Sequence, residues 1–72
     1  MLLTRRVPLA PTPDELRARI AGDDAGVEIL DLGEGFYELV GEVDSRGRAE
    51  RIERAVESAE GVVGVVNRLW IV

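Results

Sequence analysis

The segment 33–43 constrains the fold of this chain more than any other part of the sequence. Residues 33–35 read Gly-Glu-Gly, a short turn between two apolar runs. Tyr, Leu, Gly and Val then occupy every second position from residue 37, so a strand here points them all to one face. A short glycine-containing loop between two strands predicts an antiparallel hairpin, with residues 27–32 as its first strand.

A dense helix-start signal precedes the hairpin. Thr12 can cap a helix, and Glu15 can reach back to complete a capping box. The proline between them suits the first helical position, where its missing N–H costs nothing. Leu16 and Ile20, one helical turn apart, form the buried side of this first helix, and Gly22 ends it.

A second helix is predicted directly after the hairpin. Asp44 or Ser45 caps it, and Gly61 is its natural C-terminal stop. Between these ends an apolar stripe recurs at helical spacing, consisting of Ala49, Ile52, Val56 and Ala59. Residues 62–72 are nearly continuous in apolar side chains and predict the last strand.

These elements predict an α+β fold in the order α-β-β-α-β, a three-stranded sheet with two helices on one face. The strand–helix–strand step returns the third strand parallel to the second by a right-handed crossover. Residues 1–11 contain two prolines and no clear period, so we expect an extended N-terminal arm. Residues 12–72 then form the single domain.

One face of the predicted sheet has no helix to cover it. The apolar side chains expected on that face are Phe36, Val40, Val66, Trp70 and Val72. Strands that are apolar on both faces are normally covered on both, so either the arm or a partner lies there. We favour a partner, because a short arm with two prolines covers little area. The apolar residues of the arm are Leu2, Leu3, Val7 and Leu9.

The facing of the first predicted strand stays open at this point. Either Leu30 with Leu32 or Val27 with Ile29 can point to the core. The two members of each pair share a face, and both pairs are apolar, so the pattern does not choose between them.

The side chains that most enzymes use are missing from this sequence. It contains no cysteine, no histidine and no lysine, so we expect no enzyme activity, no tightly bound transition metal and no cofactor. Ser45 and Ser58 have no histidine to activate them and are expected to be a helix cap and a surface hydroxyl. An acidic cluster, Asp23, Asp24, Glu28 and Asp31, does not follow the calcium-loop order and indicates a solvated acidic loop.

The charge balance also excludes some partners. The formal net charge is −5, which disfavours nucleic acid and strong attraction to anionic lipid. No signal-peptide pattern and no membrane-span length of apolar residues occur. As written, the chain is expected to be cytoplasmic, or periplasmic or envelope-associated if it belongs to a longer precursor.

Two segments resemble the BON domain, a bacterial module named for osmotically inducible and nodulation proteins. Residues 35–45 read Gly-Phe-Tyr-Glu-Leu-Val-Gly-Glu-Val-Asp-Ser, and residues 61–71 read Gly-Val-Val-Gly-Val-Val-Asn-Arg-Leu-Trp-Ile. The resemblance implies the same α-β-β-α-β fold, with Gly41 and Gly61 as its structural glycines and no catalytic residues. It also implies attachment to membranes or other envelope components.

The function expected from the sequence is therefore a non-catalytic binding module. It is expected to associate through the uncovered apolar face, as a homo-oligomer or with a protein partner. The alternative, which the resemblance implies, is a peripheral phospholipid-attachment module with weak membrane contact.

Overall fold

The computed structural model describes residues 9–72 and has the predicted α-β-β-α-β order. The elements are α1 (Pro13–Arg19), β1 (Val27–Gly33), β2 (Phe36–Val43), α2 (Arg46–Glu57) and β3 (Gly64–Ile71). The predicted α+β class and the hairpin are confirmed. Of the predicted arm, Leu2, Leu3 and Val7 lie outside the described residues, and residues 9–11 have no regular secondary structure.

The three strands form one mixed sheet with β2 in the centre. β1 pairs with β2 antiparallel through the hairpin, and β3 returns parallel to β2 after α2, as the strand–helix–strand pattern predicts. Both helices cover the same face of the sheet. The buried side chains of β2 alternate along the strand and so share that face; they are Tyr37, Leu39 and Val43. They belong to one core cluster with the buried side chains of both helices. The core consists of Leu16, Ile20, Val27, Ile29, Tyr37, Leu39, Val43, Ala49, Ile52, Val56 and Ala59.

The facing of β1, left open by the sequence, is decided in favour of Val27 and Ile29. These side chains are buried in the core, at 2% and 5% exposure. Leu30 and Leu32 are exposed at 42% and 52%. The pairing explains the choice, since Ile29 lies opposite Leu39 and therefore shares its face of the sheet.

The helix starts follow the sequence closely, whereas the helix ends do not. The Thr12 hydroxyl accepts from the Glu15 N–H at 3.1 Å, and Glu15 Oε1 accepts from the Thr12 N–H at 2.8 Å, so the capping box is confirmed. Ser45, rather than Asp44, caps α2 by accepting from the Arg48 N–H at 3.1 Å. α2 ends at Glu57, before Ala59, because the chain leaves the helix in a turn that still buries Ala59.

Two smaller expectations were wrong. α1 ends at Arg19 because the chain already turns at Ile20, before Gly22 is reached. β3 begins at Gly64, two residues later than predicted, since Val62 and Val63 connect the turn after α2 to the strand without regular structure of their own. Ile71 shares the helix-covered face with its buried partner Val43, but it is 47% exposed because it lies at the far end of an edge strand.

The two glycines that the resemblance singled out both have structural roles. Gly41 has φ +130° and faces the Gly26 carbonyl at the start of β1, so it admits a backbone segment rather than a helix. Gly61 has φ +93°, the positive φ expected after a helix. A methyl group there would lie 2.7 Å from the Leu9 carbonyl oxygen, so Gly61 also makes room for residues 9–11.

Candidate interaction face

The face of the sheet opposite the helices carries both apolar and charged side chains, and we call it the open face. Cross-strand register places its members in rows, because paired residues share a face. Its apolar members are Leu30, Phe36, Val40, Val66 and Trp70. Its charged members are Glu28, Glu38, Glu42 and Arg68.

The apolar members differ in how far they stand out. Trp70 is the most exposed at 73%, while Phe36 and Val66 are each 43% exposed. Val40 is only half-buried at the centre of the sheet, between Glu28 and Arg68 in its row. Within residues 9–72, neither helix crosses this face, so these side chains meet solvent.

Four of the five residues predicted for the interaction face lie on it, and the fifth lies at its end. Phe36, Val40, Val66 and Trp70 occupy the open face. Val72 follows the last residue of β3, is 75% exposed, and donates its N–H to the Val43 carbonyl at 2.9 Å. It therefore extends the edge of the sheet rather than its centre.

The ring of Phe36 lies across a glycine of the neighbouring strand that the sequence pattern did not single out. Gly64 lies directly opposite Phe36 in the register of β2 and β3. A methyl group at Gly64 would lie 2.8 Å from Phe36 Cε1, so the ring leans across the glycine. Aromatic rings often cover glycines across strands in this way, and the contact explains why Phe36 is only partly exposed.

The charged members of the open face are unevenly balanced. Arg68 Nε lies 2.8 Å from Glu38 Oε2, which forms a salt bridge across the two strands. Glu28 and Glu42 carry further negative charge, so three carboxylates stand against one guanidinium on this face. The alternation of the strands placed Glu38 and Glu42 there, but the ion pair depends on register and could not be predicted.

The outer edge of β3 is partly blocked by the side chain of Asn67, a residue of the strand itself. Gly64 donates its backbone N–H to the Gly35 carbonyl just before β2, and Val72 donates to the Val43 carbonyl of β2. Because the N–H direction alternates along a strand, the odd-numbered residues between them point their N–H groups outward. Leu69 belongs to this outward set, and its N–H donates to Asn67 Oδ1 at 3.0 Å. Asn67 Nδ2 donates in turn to Glu53 Oε1 of α2 at 2.8 Å. The Leu69 N–H in the middle of the edge is therefore already hydrogen-bonded and is not available to an added strand.

The acidic cluster of residues 23–31, predicted to be a solvated loop, is more structural than predicted. The Arg48 guanidinium donates to the Asp23 carbonyl at 2.7 Å, and Arg51 Nη2 lies 3.3 Å from Asp23 Oδ1. Asp31 Oδ1 accepts from the Gly33 N–H at 2.8 Å and shapes the hairpin turn. Two carboxylates of the cluster therefore hold the chain in place. In the described part of the chain no three acidic side chains converge as metal ligands would.

The polar groups buried or bonded elsewhere have local roles. The Ser58 hydroxyl donates to the Ala55 carbonyl at 2.9 Å, so it serves the end of α2. Tyr37 is fully buried, and its hydroxyl donates to the Pro11 carbonyl. Burial raises the pKa of Tyr37, and the negative charges of Asp31 and Glu15 raise it further. A neutral, hydrogen-bonded phenol in the core fits a structural role.

No helix among the described residues has the length and apolar character needed to cross a bilayer. No protein-family model matches this chain, and no curated protein matches it. The chemistry of the candidate site is therefore that of its own side chains, which offer apolar area and negative charge.

Proposed function

We propose that this chain is a non-catalytic interaction module that associates through the open face, with a second copy of itself or with another protein. One observation carries the proposal. The sheet exposes Phe36, Val66 and Trp70 on the same side, while both helices are committed to the other side. Exposed aromatic and aliphatic side chains grouped on one surface are typical of interaction sites.

The energetics of a small domain favour such an association. A chain of 72 residues without cysteine buries little core, and domains of this size usually draw stability from a staple or a partner. Burying a large apolar side chain contributes about 2 kcal/mol. Trp70, exposed near the end of an edge strand, is the residue type that most often dominates binding energy.

The resemblance to the BON domain supports a binding role. The resemblance implies an α-β-β-α-β order, which the chain has. The alternative function that it implies is peripheral membrane attachment, for which Trp70 and Phe36 would be the interfacial anchors. The three carboxylates on the same face weigh against anionic lipid.

The test is a pair of charge insertions read by sedimentation at high ionic strength, where carboxylate repulsion is screened. We expect the wild type to show a concentration-dependent mass and Trp70→Glu to shift toward monomer, because the charge enters an apolar contact. Leu9→Glu is the control, since Leu9 is 91% exposed and lies outside the three strands, with its backbone beside Gly61. A wild type that stays monomeric at high concentration would rule out association between copies.

A further inference from the structure

The charge of the open face distinguishes between possible partners. Its carboxylates are Glu28, Glu38 and Glu42, and its guanidinium is that of Arg68. Among residues 9–72, the salt bridge on this face is the one between Arg68 and Glu38. Arg68 is thus engaged on its own sheet, and the face keeps the charge of Glu28 and Glu42 for whatever approaches it.

The positions of these two carboxylates place negative charge beside the apolar contacts. Glu42 lies directly opposite Trp70 in the register of β2 and β3. Glu28 lies opposite Val40, which occupies the centre of the face. The Cβ atoms of directly opposite residues in a sheet lie about 5 Å apart. A partner that covers Trp70 and Val40 must therefore also desolvate or neutralise Glu42 and Glu28.

A second copy satisfies this requirement poorly. Two open faces brought together place four carboxylates in one interface, Glu28 and Glu42 of each copy, while each Arg68 is already paired with its own Glu38. Like charges brought together across an interface oppose association strongly. An arginine or lysine side chain between the apolar contacts of a partner turns the same two carboxylates into ion pairs.

We propose that the open face binds a segment of another protein in which arginine or lysine side chains are interleaved with large apolar ones. This inference rests on the proposed function, and it names the chemistry of the partner. Association between copies is then the weaker mode, and added salt strengthens it by screening the carboxylates. Binding of the cationic segment is the stronger mode, and added salt weakens it.

The experiment uses two synthetic peptides of equal length, one alternating leucine with arginine and the other leucine with glutamate. Trp70 is the single tryptophan and lies on the face, so its fluorescence reports occupancy. We expect the leucine–arginine peptide to shift the emission and the leucine–glutamate peptide to leave it unchanged. The double variant Glu28→Gln with Glu42→Gln should bind the first peptide about tenfold more weakly.

The matched control is Glu50→Gln with Glu57→Gln, which removes the same charge from exposed positions of α2. It should bind as the wild type does, which separates local pairing from the overall negative charge. A chain lacking residues 1–8, which include Arg5 and Arg6, keeps the described contacts and tests for an internal competitor. We expect its affinity for the peptide to be unchanged.

The outcomes separate this inference from the proposed function. Equal binding of the two peptides, or equal weakening by the two double variants, would overturn the cationic partner. So would markedly tighter binding by the chain without residues 1–8, which would make its own N-terminal segment the occupant. Binding to anionic vesicles with no response to the peptide would make lipid the occupant. A Trp70 signal that responds to none of these, in a protein that stays monomeric, would remove the proposed function as well.

Discussion

The two faces of the central strand β2 differ more in exposure to solvent than in the apolar character of their side chains. Tyr37 and Leu39 are fully buried, whereas Phe36, next to Tyr37 in the chain, is 43% exposed. Both faces carry large apolar side chains, and what separates them is that both helices pack on one side. Apolar character in a strand therefore indicates that a face can be covered, and only the neighbouring elements decide whether it is covered within the chain.

The largest expected effect comes from the same substitution made on each face. Leu39→Ala should lower the free energy of unfolding by about 2–5 kcal/mol, because it leaves a cavity under the helices. Leu30→Ala should lower it by about 1 kcal/mol or less, because Leu30 is 42% exposed and nothing described covers it. Urea denaturation of both variants measures the difference. Equal losses would mean that the open face is buried within the monomer.

A second comparison concerns the close approach of the Gly26 carbonyl to Gly41 of β2. Gly41→Ala should cost about 3 kcal/mol, because the new methyl group meets the Gly26 carbonyl and the positive φ strains the backbone. Gly22→Ala is the control, with a similar positive φ but no atom within 4 Å of the methyl position, and it should cost about 1 kcal/mol. If the two variants lost the same stability by thermal or urea unfolding, the contact with Gly26 would not matter.

The buried phenol on the helix-covered face makes stability depend on pH. The pKa of Tyr37 is raised above its ordinary value of 10.0 by burial first, and then by Asp31 and Glu15. A raised pKa in the folded state means that the stabilisation is present below pH 10 and is lost as pH rises through the folded value. Urea denaturation between neutral pH and strongly alkaline pH should show this loss.

Tyr37→Phe is the matched variant for that titration. It removes the hydrogen bond to the Pro11 carbonyl, which should cost about 1 kcal/mol at neutral pH. It should also flatten the alkaline decline, because no phenol remains to ionise in the core. A decline as steep as that of the wild type would assign the pH dependence to other groups.

The smallest effect on stability is expected at the edge of β3, where a substitution distinguishes strand pairing at the edge from the proposed association through the open face. Asn67→Ala removes the acceptor for the Leu69 N–H and should cost about 1 kcal/mol or less, since that N–H can turn to water. It should also open the edge to strand pairing, seen as slow, concentration-dependent aggregation that Trp70→Glu does not prevent. Asn67→Asp keeps an acceptor and adds a charge, so it should stay free of this aggregation, although its carboxylate replaces the donor to Glu53 and should lower stability.

Local patterns in the sequence determined the order of the elements and the start of each helix. The capping box at Thr12 and Glu15 and the glycine turn at residues 33–35 depend on residues only a few positions apart, so they could be predicted without knowing the rest of the fold. The period-two alternation likewise predicted that Phe36 and Trp70 point away from the core. The helix ends were predicted less well, because tertiary contacts decide where a helix stops.

Tertiary structure alone decided what depends on register between distant segments. Val27 with Ile29 and Leu30 with Leu32 are equally apolar pairs, and only the pairing of Ile29 with Leu39 turns the first pair inward. The ion pair between Glu38 and Arg68 joins two strands whose relative register is set through α2, and its residues carry no local signal. The sequence by itself thus determined which residues form strands and which faces they share. The packing of both helices on one side decided which face became the core and which remained exposed.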